Sequence, residues 1–71
     1  MLSYSTHARS RMTERGITEA DIDWALHHRT GDTQPGDNGR IVVYGCAPGQ
    51  RILKVVLSAD EQTVVSVMET G

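Results

Sequence analysis

Cysteine is nearly absent from this sequence: Cys46 stands alone among 71 residues. No disulfide can therefore form within one chain, and a lone thiol fits a reducing cytoplasm better than a secreted context. No apolar run approaches the roughly 20 residues of a membrane-spanning helix. Residues 1–5 lack the basic and apolar regions of a signal peptide, so a cytoplasmic protein without a membrane partner is expected. No glycine-rich loop precedes a helix, and nucleotide cradling has no support. Pro35-Gly36 and Pro48-Gly49 are turn formers. His27 and His28 are adjacent and would point about 100° apart on a helix, which prevents easy chelation of one ion. With a single thiol besides, no closed zinc site, metal or other cofactor is expected.

An excess of positive charge is missing as well. The formal net charge is −2, which argues against the strongly basic footprint of a generic nucleic-acid binder. The charge is uneven, however. Arg9, Arg11 and Arg15 face Glu14 alone in residues 7–15, whereas residues 16–39 hold five acids against Arg29. Local field matters more than the sum for a small anionic site.

What is there reads as one α+β domain spanning residues 1–71, with two N-terminal helices followed by a three- to four-stranded antiparallel β-meander. A chain this short buries only about 60% of its unfolded surface, so its core must be compact. Ser5 caps a first helix in which Ala8 and Met12 fall four apart, and Gly16 ends it. Thr18 and Asp21 form a capping box for a second helix running to about Arg29, with Gly31 as its stop. Ile17 serves twice, as the apolar contact of the first helix end and as the staple residue opposite Ile22. Ile22, Ala25 and Leu26 form the second apolar stripe.

Residues 30–39 are turn chemistry holding at most a short edge strand over 32–34. Strands are expected at 40–46, 52–58 and 63–69. Leu53, Val55 and Leu57 share one face of the central strand. A four-residue turn over 47–50 would set Tyr44, Val42 and Arg40 beside them; a one-residue error there swaps the faces. A DNA-binding helix-turn-helix is disfavoured, because Glu19, Asp21 and Asp23 stand where a recognition helix would meet phosphates.

The chemistry-bearing group is His7, Arg11 and Arg15, spaced four apart as a ridge beside the Ala8–Met12 stripe. Arg9 and Thr13 are expected on the solvent side. Imidazole moves protons near neutral pH and guanidinium forks match phosphate oxygens, a combination suited to phosphodiester work. Two readings stand: a catalytic ridge, or arginines that pair with acids and brace the helix. Cys46, at a strand end, reads as an inert thiol. Trp24 lies nearly opposite Ile22 and Leu26, with His28 beside it. Either this pair marks a contact surface, or the first helix or the 30–39 loop covers it.

The run Tyr4-Ser5-x-His7-Ala8-x-x-Arg11-Met12-x-x-Arg15-Gly16-Ile17-Thr18 resembles the opening signature of a small bacterial family of unknown function, itself similar to RelE/BrnT-type ribonuclease toxins. Arg40, Tyr44 and Gly45 match its R-x-x-x-Y-G element, and Leu53-Lys54-Val55-Val56 its next strand. The resemblance implies a RelE-like fold with RNA cleavage or RNA binding. His7 would be the base and Arg11 the phosphate cation. Arg15, Arg40, Tyr44, Arg51 and Lys54 would help to hold RNA. The partners implied are RNA or a cognate antitoxin-like protein; from the residues themselves, a structural subunit that dimerises through Trp24, with His28 beside it, is a third reading. A non-catalytic interaction or regulatory module of the same fold is the rival, favoured by the acidic balance and by a last strand without basic or aromatic residues. Cleavage would need no divalent metal, since no carboxylate or His/Cys cluster is available to hold one.

Overall fold

In a computed structural model of the chain, residues 2–70 are described; residues 1 and 71, the ends of the expected domain, lie outside them. Ser5 opens α1 (Thr6–Arg15), its hydroxyl accepting from the Ala8 amide at 3.0 Å and donating to the Val65 carbonyl at 2.7 Å. One serine thus caps the helix and pins it to the sheet. Gly16, at φ 65°, ends α1 in the left-handed conformation that glycine adopts without steric cost. The next amide, of Ile17, donates to the Met12 carbonyl at 2.9 Å. Thr18 and Asp21 then form a reciprocal capping box for α2 (Glu19–His27), with both bonds at 3.0 Å. Ile17 is buried at this corner, as its double role requires.

Helix α2 stops at His27, two residues before the expected Arg29. Residues 28–30 leave the helix to pair with the sheet. The Cys46 amide donates to the His28 carbonyl at 2.9 Å and the Thr30 amide to the Tyr44 carbonyl at 2.8 Å. Backbone bonding at a strand edge outweighs the last turn of a short helix.

The sheet has five strands and is mixed, which corrects the expected three- to four-stranded antiparallel meander. Its order is β1 (Ser3–Tyr4), β5 (Thr63–Thr70), β4 (Arg51–Leu57), β3 (Ile41–Ala47), β2 (Gln34–Pro35). Strand β1 pairs with β5 in parallel, and the other pairs are antiparallel. The expected edge strand at 32–34 lies instead at Gln34–Pro35. Two-residue strands such as β1 and β2 carry no alternation for a sequence to display.

The β3–β4 turn also differs from expectation. Ala47 stays in the ladder opposite Arg51, leaving three residues in the turn, with Gly49 and Gln50 both at positive φ. Tyr44 therefore pairs with Lys54 and Val42 with Val56. One residue fewer in the turn moves Tyr44, Val42 and Arg40 off the face of Leu53, Val55 and Leu57.

Both helices cover that second face. Ala8, Met12, Ile17, Ile22 and Ala25 meet Val43, Leu53, Val55, Leu57, Val64 and Val67 in one core. Helix α1 packs along β5 and α2 along β3. Gly45 permits the closest approach, for a Cβ there would collide with the Ala25 carbonyl. No described helix is long and apolar enough to cross a membrane.

Candidate functional site

The other sheet face has no helix over it. Register places three cross-strand rows there: Val42, Val56 and Ser66; Tyr44, Lys54 and Met68; Cys46, Ile52 and Thr70. All are half-buried except Met68, which is 46% exposed. Alternation explains the set, because their neighbours Val43, Leu53, Val55 and Val67 point into the core. The bulge helps: Val65 is the extra residue between the Val56–Ser66 and Leu57–Val64 pairs, which keeps Val64 and Val67 on the core side together.

Beside the rows, a hollow of about 290 Å³ is lined by Gly36, Asp37, Arg40, Val42, Lys54 and Val56. Two cations and one carboxylate therefore border an apolar floor. The 3-10 turn Asp37–Gly39 forms this rim, and the Gly36 amide donates to the Arg40 carbonyl at 2.7 Å to close it. Of the candidate RNA contacts, Arg40, Tyr44 and Lys54 gather on this face.

Arg51 does not join them. It shares the helix-side face with Leu53, donates to the Arg15 carbonyl at 3.3 Å and to Glu69 at 3.2 Å, and forms an ion pair with Asp21 at 3.6 Å. The guanidinium fork ties the end of α1, the capping box of α2 and β5 together. Sequence reasoning missed this clamp, whose only signal was parity with Leu53 along the strand.

His7, Arg11 and Arg15 lie on α1, in the layer opposite Tyr44. His7 and Arg15 are exposed; Arg11 is half-buried and sits 3.5 Å from Glu14. Arg9 is exposed, as expected, and lies over the Tyr4 ring at 4.7 Å while pairing with Glu19. No described hydrogen bond or ion pair links His7 or Arg11 to the strands. The sheet itself separates them from Tyr44, so a single cleft with His7 and Arg11 on one wall and Tyr44 on the other does not form.

A second hollow, of about 300 Å³, lies on the helix side between Leu2, Tyr4, Glu19, Ala20 and Asp23. Burial pushes the Tyr4 phenol above its ordinary pKa, Glu19 and Asp23 push the same way, and Arg9 opposes. Trp24 is 51% exposed and stacks on His28 with ring centroids 4.5 Å apart. Nδ1 of His28 bonds the Trp24 carbonyl at 2.8 Å, which fixes the stack on the helix. Neither α1 nor the 30–39 loop buries the indole. Cys46 is half-buried on the uncovered face. No three His, Cys, Asp or Glu side chains among the described residues gather where a metal ion would sit.

No curated protein and no solved structure matches the chain. The profile of a family described as a domain of unknown function, DUF4258, matches residues 4–69, and with nearly the whole chain covered the protein belongs to that family.

Proposed function

We propose that the uncovered sheet face binds single-stranded RNA. The observation that supports this is the Tyr44–Lys54 cross-strand pair, with Arg40 and Lys54 lining the adjacent hollow. An aromatic beside two cations on an open sheet is the arrangement on which bases stack while phosphates are neutralised. The helix motif and the Arg40–Gly45 element resemble a family of unknown function that is itself similar to RelE/BrnT-type toxins, and that resemblance points the same way. Cleavage is left out of this reading, because His7 and Arg11 stand in the other layer.

The test is fluorescence anisotropy of a labelled single-stranded RNA at several salt concentrations. Affinity should fall with salt, and Lys54→Ala should reduce the salt slope by about one. Tyr44→Ala should cost about 1–3 kcal/mol of binding, while Tyr44→Phe keeps the stack. Wild-type binding by Lys54→Ala and Tyr44→Ala would overturn the reading. Chelator-resistant RNA cleavage that disappears in His7→Ala would replace it with a metal-independent ribonuclease.

The apolar part of the same face favours a second reading. Val42, Ile52, Val56 and Met68 outnumber the charged residues there, as in the centre of a protein interface. A regulatory module binding a protein, such as an antitoxin-like partner, would lose affinity in Met68→Ala and respond little to salt.

A further inference from the structure

The outer edge of β5 is only half covered. Strand β1 pairs with Thr63 and Val64 alone, and Ser5 extends the cover to the carbonyls of Val64 and Val65. Beyond them, residues 66–70 have β4 as their one strand neighbour among the described residues. The opposite side of the sheet is better closed, with β2 and residues 28–30 along β3. A strand edge with unpaired backbone groups favours pairing with an added strand. Residues 66–70 contain neither proline nor lysine, the charge of Glu69 is paired with Arg51, and the bulge at Val65 lies on the covered half.

Helix α1 sets the chemistry above this edge. It runs along β5 from the Ser5–Val64 bond to the Arg51 clamp, which joins Arg15 and Glu69. Ala8 and Met12 point to the sheet, and Arg9 turns toward α2 through Glu19. The remaining flank, away from α2, carries His7, Arg11 and Arg15 and faces the open side of β5. Its one acid, Glu14, pairs with Arg11, and Glu69 is held by Arg51. Arg15 and His7 have no ionic partner among the described residues.

A second copy is disfavoured as the occupant. Antiparallel pairing of two β5 edges about a twofold axis would set two basic flanks side by side. We infer that the free edge of β5 docks an extended acidic segment of a partner protein as a sixth strand. Alternate side chains of that segment point to opposite faces: acids under Arg11 and Arg15, apolar groups beside Met68. The inference does not rest on RNA binding, which is assigned to Arg40, Tyr44 and Lys54.

The test uses the full chain and a synthetic heptapeptide that alternates glutamate with valine. Amide hydrogen exchange followed by NMR locates the contact. New protection should fall on residues 66–70, and a version with lysine in place of glutamate should not bind. Arg15→Glu, an exposed change, should weaken the glutamate peptide by about tenfold. Equal binding of the lysine peptide, protection elsewhere, unchanged affinity in Arg15→Glu or no binding at millimolar peptide overturns the inference. A dimer that protects residues 66–70 without peptide also overturns it, in favour of a second copy.

Discussion

At Gly45 the backbone of α2 comes so close to β3 that a methyl group would meet the Ala25 carbonyl. The obstacle is main chain, so no rotamer change relieves it. Gly45→Ala should cost about 3 kcal/mol or more in urea denaturation, as severe overpacking does. A loss below about 1 kcal/mol would show that the helix shifts freely, against this packing. Ile17 is the converse case, where a side chain fills rather than clears space. It is 4% exposed between α1, α2 and the sheet. Ile17→Ala should cost about 2–5 kcal/mol by the same measurement, and a near-neutral change would contradict its place in the core. The role of Ile17 was legible, because a glycine helix end and a capping box fix its surroundings locally. That of Gly45 was not, since a strand glycine carries no sign of what approaches it.

The β4–β5 turn is held by side chains. The Ser58 hydroxyl donates to the Asp60 carboxylate at 2.6 Å and accepts from the Thr63 amide at 3.1 Å; the Gln62 amide also donates to Asp60, at 3.0 Å. The Ser58 bond first, then the Gln62 amide, holds the Asp60 carboxyl below its ordinary pKa. A depressed folded pKa favours the ionised form in the folded chain. Its contribution is present above the unfolded carboxylate pKa of about 3.9 and is lost as pH falls through the lower folded value. Asp60→Asn should therefore lower Tm near neutral pH, and the gap should close below about pH 4. Melting curves across that range check this, and a gap independent of pH would contradict it. Elements with local signals were legible in the same way: both caps, both helices and the three long strands follow from neighbouring residues. Strand β1 and the β3–β4 register were not. Two residues show no periodicity, and the register depended on whether Ala47 belonged to strand or turn.

Across the whole molecule, both helices lie on one side of the sheet. Burial of Val43, Leu53, Val55, Leu57, Val64 and Val67 on that side leaves Tyr44, Lys54 and Met68 on the other. The ingredients of the candidate site were legible as residue types, but their grouping was not. Arg40, Tyr44 and Lys54 meet, whereas Arg51 and the His7–Arg11–Arg15 ridge stand on the helix side. The reason is physical: one turn residue decides the face, and helix spacing alone does not say which sheet surface lies beneath. We propose that the uncovered face is the one that binds the ligand. NMR of the full chain titrated with single-stranded RNA tests this most directly. Amide shifts should concentrate at Val42, Tyr44, Lys54, Val56 and the neighbouring Arg40. Shifts centred on His7, Arg11 and Arg15, with the Tyr44–Lys54 pair unmoved, would contradict it.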